Sequence, residues 1–223
     1  KSETSFCSIF HKVTAVYQYS RHTLRSEVEA RLSESKQFEE KELWSILCSC
    51  CLAISYLLKS GVEFKLISTR EILLTADGVV KVGDPDLLSV NLAGPVKSLV
   101  QYYPPEFLNF HRQSVSGCVF SLGMCIMEIV FLEALTDCYD YQEHSFNEQA
   151  FHARINRLKA IPELSDNFVQ VLLKMLSISE KQRPSMQELE QHLVQVVDAP
   201  GSSSSQCQSE TKQNKPQSEM VAA

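Results

Sequence analysis

Apolar positions at helical spacing mark the longest regular elements of this chain. Leu24, Val28 and Leu32 lie four residues apart on an otherwise charged segment and predict a helix over residues 22–34. A wider apolar face through residues 39–59 predicts a largely buried helix. The same periodicity predicts further helices over residues 115–131, 146–158, 165–176 and 185–197.

Shorter stretches favour β-strands. Residues 5–10 and 13–17 alternate or are rich in β-branched and aromatic side chains, which predicts two short strands. A second pair is predicted at residues 71–74 and 79–82, joined by a turn in which Gly78 takes a positive φ. Residues 83–105, rich in glycine and proline, are predicted to be a long loop.

Composition narrows the class of protein. The 223 residues are 44% hydrophobic and 22% charged, as in soluble globular proteins. The net charge of −6 argues against a nucleic acid or an anionic membrane as partner. Eight cysteines with no paired C-x-x-C spacing favour free buried thiols in a reducing compartment, the cytoplasm or the nucleus. The polar, serine-rich residues 198–223 predict a disordered tail.

Six short motifs then follow one another in a familiar order. Together they resemble a protein kinase domain from its fourth strand to its end. The motifs are Tyr17-Gln18-Tyr19 at the interlobe hinge, the strand pair at 71–82, Asp84-Pro85-Asp86 at the D-F-G position, Tyr102-Tyr103-Pro104-Pro105-Glu106 at Y-x-A-P-E, Phe120-Ser121-Leu122-Gly123 at W-S-L-G, and Arg183-Pro184-Ser185 at R-P-S.

The resemblance implies an α+β, mainly α-helical fold. Residues 21–197 would form a kinase-like large, C-terminal lobe, and residues 198–223 the tail. Residues 1–20 would supply the last strands and the hinge of the small lobe, either as a remnant or as the end of a lobe that lies upstream.

The catalytic loop departs from the family at its chemical positions. Aligning H-R-D-L-K-P-x-N with residues 64–71 puts Leu66 at the catalytic Asp, Ser68 at the loop lysine and Glu71 at the metal-binding Asn. Leucine cannot accept a proton, so the general base is absent. The Glu71 carboxylate is open to two interpretations, a magnesium ligand or a capping acid at the start of a strand.

Residues for nucleotide and metal binding are carried over from the same resemblance. Asp84 retains the metal-binding Asp of D-F-G, and Tyr17, Gln18 and Tyr19 would contact the nucleotide at the hinge. Glu71, Asp84 and Asp86 would either cluster around a cation or remain exposed acids at a turn, and we favour the turn.

Positions that support the family's scaffold are kept. The resemblance implies a buried ion pair between Glu106 and Arg183 and close helix packing at Gly123. Cys118 occupies the place of an Asp that holds the catalytic loop.

This pattern favours a pseudokinase. We therefore expect a protein that is not an enzyme and requires no cofactor. It would act as a scaffold or allosteric regulator on a protein partner, such as an active kinase or another signalling protein. The surfaces for that partner would be residues 87–103 and 136–160. The alternative is an atypical serine/threonine kinase, or an ATP-binding sensor, with residual binding of ATP and Mg²⁺.

Overall fold

The computed structural model describes residues 22–62, 66–75, 78–83, 99–110 and 114–197. The predicted strands at residues 5–17, the hinge at Tyr17, Gln18 and Tyr19, the metal-binding candidate Asp84 and the tail at 198–223 lie outside these ranges.

Helices dominate the described residues. They are α1 (Leu24–Glu34), α2 (Glu40–Lys59), α3 (Pro105–Phe110), α4 (Val115–Phe131), α5 (Glu148–Lys159), α6 (Asp166–Met175) and α7 (Met186–Val197). Side-chain caps begin several of them: the hydroxyls of Thr23, Ser114 and Ser165 accept backbone N–H groups that have no partner inside the helix. These caps explain why α4 and α6 start within one residue of the positions predicted from the sequence.

A small antiparallel sheet lies beside the helices. Its strands β1 (His22–Thr23), β2 (Ile72–Leu74) and β3 (Val80–Val82) pair in that order, with Ile72 opposite Val82. Gly78 has a φ of +79° in the turn between β2 and β3, as predicted. Gly61, just past α2, has a φ of +80°, which suits the end of a helix.

The central element of the core is α4. From Gly117 to Phe131 every residue of this helix is buried, and it packs against α2, α6 and α7. By length and composition α2 is apolar enough to cross a bilayer, although the sequence suggested no such run. Its apolar face packs in the core against α7, β3 and α4.

Two predicted boundaries are wrong. The predicted loop ends in α3, because Pro105 takes the first helical position, where no N–H is required. The helix predicted from residue 146 starts at Glu148, since Asn147 caps it and Phe146 belongs to a hairpin, β4 (Tyr139–Asp140) with β5 (Ser145–Phe146). Two-residue strands carry too little sequence periodicity to be predicted.

Candidate functional site

Residues 66–71 form a mostly buried loop that leads into β2. Leu66 is half-buried and packs against the hydrophobic core, while Ile67, Ser68 and Thr69 are buried. Arg70 is exposed. An apolar side chain therefore stands at the position where the kinase pattern has a proton acceptor.

Glu71 folds back onto this loop and closes a tight turn. One carboxylate oxygen, Oε2, accepts the Ser68 backbone N–H at 2.7 Å and also the Ser68 hydroxyl. The Glu71 backbone N–H donates to the Ser68 carbonyl at 3.2 Å. This oxygen performs the capping role that the sequence offered as one of two interpretations.

The second carboxylate oxygen of Glu71, Oε1, takes no part in this turn. Oε1 is buried and has no hydrogen-bond partner among the described residues. Burial raises the pKa of this carboxyl, and the hydrogen bonds from Ser68 oppose that rise only in part. Because an unpaired buried carboxylate oxygen is unfavourable, this atom suits a ligand that supplies positive charge.

The backbone joins Glu71 to the segment that carries Asp84. The Gly83 N–H donates to the Glu71 carbonyl at 2.7 Å, and a Cβ added at Gly83 would lie 3.2 Å from that oxygen. Asp84 and Asp86 lie outside the described ranges, so the predicted carboxylate cluster is not tested. Within the described ranges, no three His, Cys, Asp or Glu side chains are grouped to hold a metal.

A buried polar network fixes the other side of the loop, and sequence reasoning missed it. Glu128 of α4 is fully buried, and its Oε2 accepts the Tyr102 hydroxyl at 2.5 Å and the Thr69 hydroxyl at 3.2 Å. Its Oε1 accepts Arg25 Nη1 at 2.6 Å. The Arg25 backbone N–H also bonds to the Thr69 carbonyl at 2.9 Å. The sequence did contain a signal for this network: Glu128 is an acid within an otherwise apolar helix, and a buried charge needs partners.

A cysteine also supports the loop, but a different one from Cys118. The thiol of Cys125 lies 3.6 Å from the Ile67 carbonyl, as a weak donor. Cys118 is fully buried about two turns earlier on α4 and is a free thiol. Burial raises the pKa of both thiols, so they are inert at neutral pH.

Within the stretches 87–103 and 136–160 expected to meet a partner, five described aromatic residues are mostly internal. Tyr102, Tyr103 and Tyr139 are buried, and Phe146 packs on Phe120 and Phe151. Tyr141 alone among these five is 47% exposed. Packing therefore accounts for these aromatic side chains better than an interface does.

Glu106 and Arg183 form a bidentate ion pair in the interior. Arg183 Nη1 lies 2.6 Å from Glu106 Oε1, and Nη2 lies 2.8 Å from Oε2. Arg183 also donates to the carbonyls of Ser177, Ser116 and Ile178. Its charge is thus fully partnered, which a buried guanidinium requires.

Gly123 lies where α4 meets the end of α6. A Cβ added there would come within 2.9 Å of Leu176 Cδ2 and 3.4 Å of Met175 Cβ. Any side chain at this position would force Leu176 to shift.

Comparison with known families agrees with this architecture. The family model described as protein tyrosine and serine/threonine kinase matches residues 5–193. The chain belongs to the protein kinase family.

Several curated proteins are similar to the chain. A membrane-associated tyrosine- and threonine-specific cdc2-inhibitory kinase, wee-1.3, of Caenorhabditis elegans is 31% identical over 73% of this chain and 24% of its own length. The serine/threonine-protein kinase Aurora-2 of Arabidopsis thaliana is 24% identical over 86% of this chain and 68% of its own length. A putative ribosomal protein S6 kinase alpha-1 of C. elegans is 26% identical over 65% of the chain and 19% of its own length.

These relatives correct one prediction. The expectation that the chain is not an enzyme is wrong by this comparison, because the relatives are named as kinases and the family model describes kinases. That expectation rested on Leu66 at the position of the base, together with Ser68, Glu71 and Cys118 around it. The chain spans only 24% of the length of wee-1.3 and 19% of the length of the S6 kinase, so the whole activities of these proteins do not transfer directly.

Proposed function

We propose that the chain is part of an atypical serine/threonine protein kinase that binds ATP with magnesium and transfers phosphate to a protein. The observation that carries this proposal is the buried Oε1 of Glu71, which has no hydrogen-bond partner among the residues that the structure describes. It lies on the residue that aligns with the metal-binding Asn of the family. A loop that needed Glu71 only as a cap would have no use for a second buried oxygen without a partner.

The residues present fit magnesium. Glu71 Oε1 offers the hard oxygen that Mg²⁺ prefers, and we propose Asp84 as the second protein ligand. When bound, the cation would neutralise charge on the ATP phosphates. Ser68, which replaces a lysine, adds no positive charge, so the cation carries more of this neutralisation than in kinases that keep the lysine.

Leu66 predicts a slow reaction. Phosphoryl transfer depends mainly on positioning and electrostatics, and the protein supplies little covalent chemistry. General-base catalysis typically contributes about 10²–10⁴-fold. Its absence therefore lowers the rate by about that factor and leaves the positioning contribution, which the Thr69–Glu128 network and the Glu71 turn maintain in this loop.

The proposed substrate is a protein, and the proposed location is the cytoplasm or the nucleus. The location rests on the six described cysteines, which are buried and free, as expected in a reducing compartment.

Calorimetric titration of the 223-residue chain with ATP, with and without Mg²⁺, tests the site. We expect Mg²⁺ to tighten ATP binding, and Glu71→Gln to remove most of that gain. The glutamine oxygen can keep the Ser68 N–H bond, which leaves an NH₂ group facing the cation. Glu143→Gln, at an exposed acid, is the matched control and should keep the gain. Equal affinity with and without Mg²⁺ would contradict the proposal.

A further inference from the structure

A cavity of about 460 Å³ lies between α6, α7 and the segment that joins them, away from residues 66–71. Buried Val171 and Leu189, together with Pro184, give it an apolar floor. Its rim is polar and exposed, and consists of Lys174, Lys181, Gln182, Glu188 and His192.

The rim carries cations that have no partner. The side chains of Lys174, on α6, and Lys181, in the 3₁₀ turn Glu180–Gln182, make no hydrogen bond or ion pair with any described residue. The same holds for His192 on α7. Most described arginines are instead paired with acids, for example Arg31 with Glu42. Unpartnered cations beside an apolar floor are free to meet an anionic, partly apolar ligand.

One acidic residue, Glu188, also lines the cavity. Glu188 Oε2 accepts both the N–H and the hydroxyl of Ser185, each at 2.8 Å. These bonds hold the Glu188 carboxylate at the start of α7 and lower its pKa. The rim thus carries two lysine charges of one sign and one carboxylate of the other, and the cations are in excess.

Hydrogen bonds of Arg183 fix the segment between α6 and α7 that lines the cavity. Arg183 lines the cavity, yet its guanidinium is bound to Glu106 and to the Ser177 and Ile178 carbonyls. These bonds anchor the segment that carries Lys181. The rim is therefore presented by an ordered support, which reduces the entropy lost on binding.

The available donors favour spread carboxylates over one compact phosphate. A guanidinium fork suits phosphate best, and the one here is already occupied. The N-terminus of α7, which would also suit phosphate, is capped by Ser185 and Glu188. Two lysines on different elements act as separate point charges, which an extended acidic peptide matches.

We propose that this cavity binds an acidic segment of a partner protein. Carboxylates of the segment pair with Lys174 and Lys181, and one apolar side chain contacts Val171 and Leu189. The chain as a whole has a net charge of −6, so this local positive rim distinguishes the cavity from the rest of the surface. This inference does not depend on phosphoryl transfer.

Fluorescence anisotropy with a labelled Asp-Glu-Leu-Asp-Glu peptide tests it on the full chain. We expect saturable binding that weakens as salt is raised, because the charges are exposed. The double variant Lys174→Glu with Lys181→Glu should weaken binding by at least about tenfold. Lys159→Glu, an exposed lysine of α5 outside the cavity, is the matched control and should change binding little. Leu→Ser in the peptide should also weaken binding.

Three results would overturn the proposal. One is no binding at millimolar peptide. Another is a loss of peptide affinity per changed charge that is the same in the double variant as in Lys159→Glu. That result would indicate only a general attraction between the peptide and positive charge. The third is binding that requires a phosphoserine in the peptide, which would make the cavity a phosphopeptide site. Unchanged thermal unfolding of the variants would show that they remain folded.

Discussion

The two carboxylate oxygens of Glu71 have different environments and different roles. Oε2 closes the turn with Ser68, and Oε1 is buried without a partner in the described part of the chain. The first contact stabilises the loop, while the second atom makes the charged form unfavourable until a cation arrives. The buried charge of Glu71 therefore lowers the stability of the folded chain, although the same charge favours the binding of a cation.

That opposition predicts how stability depends on pH. Burial raises the pKa of Glu71 in the folded state, so the folded chain holds this proton more tightly than the unfolded chain. The contribution of this group is favourable below its unfolded pKa and is lost as pH rises through the folded pKa. Without magnesium, Glu71→Gln should raise the urea midpoint at pH 7.5 and change it little at pH 4.

The exposed Glu143→Gln should leave both midpoints as they are. A Glu71→Gln variant that is less stable than the parent chain at pH 7.5 would show that the capping bonds outweigh the burial of the charge.

At the scale of the elements, α4 organises the lobe through its packing. Its Gly123 allows the end of α6 to approach, and its Glu128 reaches the loop, the 3₁₀ turn at Val100–Tyr102 and α1. One helix thus sets the positions of four neighbouring segments.

Gly123→Val should destabilise the chain by about 1–3 kcal/mol or more, because its side chain would enter space that Leu176 fills. Urea denaturation measures this loss. Ala30→Val, at an exposed site of α1, is the control and should cost only the difference in helix propensity, about 0.5 kcal/mol. Similar losses from both variants would mean that α6 moves away without penalty.

Sequence periodicity predicted every described α-helix except the six-residue α3, because the apolar faces of the other six repeat over ten or more residues. It also predicted the β2–β3 turn, since Gly78 and its neighbours have a strong local preference. It could not predict the network around Glu128. Thr69, Tyr102 and Arg25 lie far from Glu128 along the chain, and they meet only after the elements pack.

The site was predictable in position but not in detail. The motif spacing placed Leu66, Ser68 and Glu71 in one loop. Which Glu71 oxygen meets Ser68, and that Cys125 rather than Cys118 contacts the loop, depend on side-chain directions that spacing does not set.

At the scale of the whole lobe, one ion pair joins distant segments. Glu106 lies in the first turn of α3, and Arg183 precedes α7, 77 residues later. Since Arg183 lines the cavity with the cationic rim, the pair ties the support of that cavity to α3.

Arg183→Met should destabilise the chain by about 3–5 kcal/mol, because it leaves Glu106 charged and buried. Adding Glu106→Gln should recover part of this loss. Lys59→Met, which removes an exposed pair with Glu190, should cost no more than about 1 kcal/mol. Urea denaturation of the four proteins would contradict this account if the buried and exposed pairs cost the same.

Transfer of labelled γ-phosphate from ATP to a mixed casein substrate tests the central claim most directly. The account predicts transfer that requires Mg²⁺, is slower than that of a kinase with an intact base by about 10²–10⁴-fold, and falls further in Glu71→Gln. Transfer no greater than that of the heat-denatured chain, even while ATP binds with Mg²⁺, would contradict it.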